Sequence, residues 1–160
     1  MNIRRARIVA GFTIVELLVV LAILGVLAAA VMPLGESLLA AQKERELRQA
    51  LWEVRAALDD YKQTMGKLGV ASTGSGYPPT LQALVEGVPD PRPEARGGRI
   101  HFLRRIPRDP FADPRLPPEE TWQLRSYASP HDQPRAGSDV YDIRSGSSGT
   151  GLDGTRHDAW

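Results

Sequence analysis

From Phe12 to Met32 the chain reads FTIVELLVVLAILGVLAAAVM, an apolar run with a single ionisable residue, Glu16, and Pro33 at its end. At about 1.5 Å rise per residue, a helix of this length spans the roughly 30 Å hydrocarbon core of a bilayer. The pattern therefore predicts a membrane-crossing helix over 12–33. Proline removes the donor that would bond the Ala29 carbonyl and crowds the preceding turn, so a kink or locally unwound segment is expected around Ala28 to Pro33, with Gly25 dividing the helix further up. A proline that a transmembrane helix simply tolerates is the alternative reading of the same residue.

Past Pro33 the pattern becomes amphipathic and runs to about residue 66. Leu47, Leu51, Val54, Leu58, Tyr61 and Met65 recur at alternating intervals of four and three, which draws one apolar stripe along a helix. Lys43, Glu44, Arg45, Arg48, Glu53, Arg55 and Asp59 fall on the opposite, solvent face. From Leu51 onward the stripe reads as the core face of a domain, whereas residues 34–47 have no globular partner in the sequence.

Gly66 and Gly69 close this helix, and the Ser/Thr/Gly run at 72–76 is a turn. Tyr77-Pro78-Pro79 opens a short helix, TLQALVE, that stops at Gly87. Residues 88–99, rich in Pro, Arg and Gly, read as an exposed loop. The IHFL segment leads into RRIPRDPF, where prolines enforce extended or turn backbone. Two segments alternate like strands, 122–128 and 139–144, and an antiparallel pair packed on the long helix is the natural arrangement. The tail from Ser145 reads as mostly irregular, anchored by Leu152 and Trp160. The expected fold class is α+β, a long N-terminal helix on a small antiparallel sheet.

Charge and composition narrow the function. The net charge of +1 hides an asymmetry, because Arg4, Arg5 and Arg7 precede the apolar run and no acid accompanies them. The positive-inside rule puts those arginines in the cytoplasm and everything after Pro33 outside it. Without them, 17 basic residues face 19 acidic ones, and no basic cluster with interleaved aromatics follows, so nucleic acid is not an expected partner. Cysteine is absent, which excludes disulfides and thiolate chemistry. His101, His131 and His157 fall in no metal-binding spacing and read as surface or loop residues. Neither a phosphate loop nor a Gly-x-Ser-x-Gly elbow occurs, and no catalytic residue is expected.

An ordinary secretory signal peptide fits the N-terminus poorly, since the apolar run is long, ends without a small-x-small cleavage site and continues into helix. A plain single-span anchor explains length and orientation but leaves Glu16 unexplained, for an acid inside a membrane span is costly. Gly11 directly precedes Phe12, and Glu16 is the fifth residue counted from Phe12. The stretch GFTIVELLVV, Gly11 to Val20, resembles the processing site of the type IV prepilin family. The resemblance implies a leader, 1–11, cut by a prepilin peptidase between Gly11 and Phe12, with methylation of the new Phe12 amine. The new amine is a cation one helical turn from Glu16 in its own chain, and in a staggered stack Glu16 can instead meet the Phe12 amine of a neighbouring subunit, which gives Glu16 a role in assembly. The resemblance further implies that Gly25 and Pro33 mark a stretch able to lose helicity in the filament, while residues 34–47, without a globular partner in the sequence, are left to pack on neighbouring subunits.

The succession of YPPTLQALVEG, FLRRIPRDPF, two strands and a Gly-rich tail resembles the pseudopilins of type II secretion, the major pseudopilin type especially. What that implies is a pilin-like periplasmic head over 67–160, a bacterial inner-membrane location, and assembly with copies of itself and minor pseudopilins on an inner-membrane platform. Many major pseudopilins close the C-terminal loop around calcium. Here the corresponding acids are Asp153 and Asp158, with Asp142 ahead of them, a thin supply for an ion that takes six to eight oxygens. A type IV pilus subunit shares the N-terminal signal, although many pilins carry a C-terminal disulfide that this chain cannot form. An anchored periplasmic enzyme or binding module is the third reading.

Overall fold

The computed structural model describes residues 12–70, 73–130 and 132–160, without the side chains of residues 30–34. Gly11 and His131 lie outside the described residues. The chain divides into two compact units, residues 1–39 and 40–160.

One helix, α1 (Ile14–Leu68), supplies all the regular structure described in the first unit. Its described apolar side chains there, such as Ile14, Leu18 and Leu24, are exposed. Among the described residues no helix is long and apolar enough to cross a membrane. The described apolar side chains end at Ala29, and the run reaches its full sequence length only with residues 30–32. The backbone is helical at both Gly25 and Pro33.

The second unit is built on the remainder of α1. Leu47, Leu51, Val54, Leu58, Tyr61 and Met65 are all buried, as the four-and-three spacing requires, and the buried stripe begins at Leu47 rather than Leu51. Glu44, expected on the solvent face, is 5% exposed and also turns inward. The helix ends in a Schellman turn: Gly69 adopts φ +66°, Val70 N donates to the Met65 carbonyl (3.1 Å) and Gly69 N to that of Gly66 (3.3 Å).

Against this stripe packs a short helix, α2 (Gln82–Glu86), whose Leu84 is fully buried. Residues 88–99 are not a plain loop. Strands β1 (Val88–Pro89) and β2 (Arg99–Ile100) pair antiparallel across a 3-10 turn at Pro93–Ala95. Gly87 makes that hairpin possible, since a Cβ there would stand 2.5 Å from the Ile100 carbonyl oxygen. The second pair, β3 (Trp122–Arg125) and β4 (Asp142–Ser145), is also antiparallel, with Trp122 opposite Ser145 and Leu124 opposite Ile143. It is shorter than the alternation suggested, because Asp139 turns inward to accept hydrogen bonds from Ser126 Oγ (2.8 Å) and Tyr127 N (2.9 Å) instead of continuing a ladder.

The IPRDPF segment is held by its acid. Asp109, fully buried, accepts from Ser145 Oγ (2.6 Å) and Phe111 N (2.8 Å), while Trp122 Nε1 donates to the Pro107 carbonyl (2.8 Å). These bonds fasten the proline-rich stretch to both strands of the second pair. The resulting fold is α+β and pilin-like, with a core shared by α1, α2 and the strand region.

Candidate assembly site

Two places bear on function, the start of α1 and the tail. At the start, Thr13 stands just ahead of the first helical residue and its Oγ1 accepts from Glu16 N at 3.2 Å. Thr13 is therefore the N-cap, satisfying one of the helix's unpaired amides. The Thr13-x-x-Glu16 spacing is the sequence signature of such a cap, a signal that the reading of Glu16 alone passed over. Phe12 is 76% exposed. The Glu16 carboxylate is exposed and forms no hydrogen bond or ion pair with another described residue. Gly11, the residue before the expected cut, lies outside the described set.

In the tail the acids proposed for calcium each face a guanidinium. Asp153 Oδ2 accepts from Arg48 Nη2 at 2.6 Å, and its Oδ1 accepts from Thr155 N (2.9 Å) and Thr155 Oγ1 (2.6 Å). Those Thr155 bonds first, and then the Arg48 charge, hold the Asp153 carboxyl below the ordinary carboxylate range. Asp158 receives Arg156 in a two-point fork (2.9 and 2.6 Å), which likewise lowers its pKa. Asp142 Oδ1 accepts from Arg55 Nε at 2.8 Å. Among the described residues no group of three or more His, Asp or Glu side chains is placed to share a metal ion.

The tail is more ordered than a Gly-rich segment suggests. Thr150 and Arg156 bridge across it, and a 3-10 turn, His157–Ala159, closes it. His157 is buried rather than on the surface: its ring stacks on Phe111 (centroids 4.1 Å apart) and meets Trp160 edge-on (4.9 Å). Trp160 packs against the core as expected, whereas the Leu152 side chain stays exposed and only its amide is engaged, donating to Glu44 Oε1 at 2.8 Å. Glu44, Arg48 and Arg55 are thus the site residues missed from sequence. Their partners lie 87 to 108 positions away, beyond the reach of any local spacing rule.

Residues 7–32 match the family model described as the prokaryotic N-terminal methylation motif, a span containing the Gly11-Phe12 junction and Glu16. The type II secretion system core protein G of Vibrio cholerae is 33% identical over 155 residues, covering 89% of this chain and 88% of the relative. Proteins of the same name from Aeromonas hydrophila (33% over 110 residues, 65% of this chain and 68% of the relative) and Klebsiella pneumoniae (38% over 109 residues, 63% and 68%) are also similar. No solved structure gives a significant match. A methylation motif that frames Glu16, a pilin-like head and identity running along nearly the whole chain place this protein in the type II secretion system core protein G family, the pseudopilin subunits of the pseudopilus.

Proposed function

We propose that the chain is made as a prepilin, cut by a prepilin peptidase between Gly11 and Phe12 and methylated on the Phe12 amine. The mature protein then sits in the bacterial inner membrane through the apolar start of α1, with the 67–160 head in the periplasm. It polymerises with copies of itself and with minor pseudopilins on an inner-membrane platform, and the growing pseudopilus drives protein export. The role is structural, with no catalytic step assigned to any residue.

One observation carries this reading: Glu16 is an exposed acid on an apolar helix, four positions after Phe12, with no described partner in its own chain. A carboxylate in hydrocarbon is costly unless it meets an opposite charge, and a neighbour's Phe12 amine supplies one only after processing. Such a pair selects one register of sliding helices more than it adds net stability. Loss of helicity between Gly25 and Pro33 belongs to the same proposal, as a change that accompanies packing in the filament.

Mass spectrometry of the mature N-terminus tests the first step, with a chain beginning at methylated Phe12 as the expected product. An intact Met1 or a cut elsewhere overturns the prepilin reading. Glu16→Ala is expected to leave cleavage and insertion largely unchanged while reducing crosslinked multimers; multimers at wild-type yield would remove the inter-subunit role.

A further inference from the structure

The family resemblance raises calcium for the C-terminal loop, and the donor set around that loop does not fit it. Calcium takes six to eight oxygens, mostly from carboxylates and carbonyls free to turn toward it. Here both Asp153 oxygens are engaged, one by Thr155 and the other by Arg48. A divalent ion at that carboxylate would stand against the guanidinium charge. Asp158 and Asp142 are likewise met by Arg156 and Arg55. Trp160 crowds the interior of the loop as well, since a Cβ on Gly151 would come within 2.6 Å of its ring.

We propose that Arg48 and Arg55 on α1 do in this protein what a bound calcium ion would do, holding the C-terminal loop closed without metal. Arg48 joins Asp153 on one side and lies over the Trp160 ring on the other, 4.0 Å from its centroid. Arg55 donates from Nε to Asp142 and from Nη2 to two main-chain oxygens, those of Ile143 (3.0 Å) and Trp160 (2.8 Å). Glu44, one turn before Arg48, takes the Leu152 amide. An isolated surface ion pair contributes little. These contacts differ because planar guanidinium groups meet an acid together with a ring or main-chain oxygens, and because Glu44 is buried. Within the loop, Gly151 N donates to the Thr155 carbonyl (2.8 Å), so the turn is closed by backbone and needs fastening only to the helix.

The inference is independent of the filament role and is tested without assembly, on the full chain in detergent micelles. Wild-type protein is expected to melt within about 1 °C of the same temperature in EGTA and in millimolar calcium chloride. Arg48→Ala is expected to lower the melting temperature and to expose residues 149–160 to thermolysin, with calcium restoring neither. Arg48→Lys should recover only part of the protection, because an ammonium cannot both bond Asp153 and lie flat over the Trp160 ring. Should Arg48→Ala not fold, Asp153→Asn supplies the same readout, with a smaller loss of protection that calcium again does not restore. A wild-type chain that loses several degrees in EGTA and regains them with calcium overturns the proposal. A tail as resistant in Arg48→Ala, or in Asp153→Asn where that stands in, as in wild type does so too.

Discussion

The two parts of α1 obey one rule with opposite outcomes. Between residues 14 and 29 apolar side chains are exposed on all sides of the helix, while between 47 and 65 Leu47, Leu51, Val54, Leu58, Tyr61 and Met65 form a buried stripe and Trp52 on another side stays exposed. The acids repeat the contrast: Glu16 has no described partner in its chain, whereas Glu44 is buried and bonded to Leu152. An all-round apolar helix is built to be surrounded, by lipid or by other helices, and a striped one to be covered on one side. The second half of α1 is thus completed by its own chain, and the first half calls for surroundings that the described residues do not supply.

The sharpest way to break that contrast is to truncate the same residue type in each part. Leu58, 1% exposed, sits in the covered stripe, and Leu58→Ala is expected to destabilise the head by about 3–4 kcal/mol in chemical denaturation, from lost burial and the cavity left behind. Leu24, 55% exposed, should leave the denaturation midpoint of the head unchanged on truncation and alter only the yield of crosslinked polymer. A head weakened by Leu24→Ala would mean that the two parts are not energetically separate.

A smaller effect comes from pH. Burial, and then the nearby Asp59 carboxylate, push the Tyr77 hydroxyl up to about 12. The folded state keeps this proton while an unfolded chain loses it near pH 10, so the associated stability is complete below pH 10 and drains away between 10 and 12. The loss amounts to about 2 kcal/mol, and Tyr77→Phe should retain more of its stability through that window than wild type does, as followed by circular dichroism. An unchanged alkaline profile would show that Tyr77 does not titrate with unfolding.

The smallest effect is expected at Trp52, which is 73% exposed although it lies on the helix that carries the core stripe. Trp52→Ala should change the stability of the head by less than about 0.5 kcal/mol, measured by the same denaturation. A larger loss would mean that the covered face of α1 is wider than the stripe.

What could be read from the sequence follows from the range of each interaction. The core stripe was legible because α-helical periodicity is local, and the Gly11-Phe12-Glu16 pattern because it spans only six positions. The Thr13 cap was equally local, and its signal was present in the same six residues. Glu44 reads as solvent-facing by its charge, although three positions before Leu47 it stands in phase with the edge of the stripe; the partner that satisfies its buried carboxylate, the Leu152 amide, is brought near only by the folded tail. Residues 88–99 read as a loop because two-residue strands, one containing Pro89, carry no alternation. The IPRDPF segment gave away its prolines but not its purpose, since Asp109 is anchored by Ser145, 36 positions away.

Arg48 and Arg55 lie seven positions apart, two turns of α1 and roughly 10 Å along its axis. Arg48 holds the side chains of Asp153 and Trp160, and Arg55 holds the backbone of β4 and of Trp160. A segment pinned at one point can still swivel about it; pinned at two points this far apart, it has a fixed heading. The segment from Ile143 to Trp160 therefore keeps a constant bearing along this stretch of α1, and its exposed side chains, Leu152 among them, are held in a fixed arrangement.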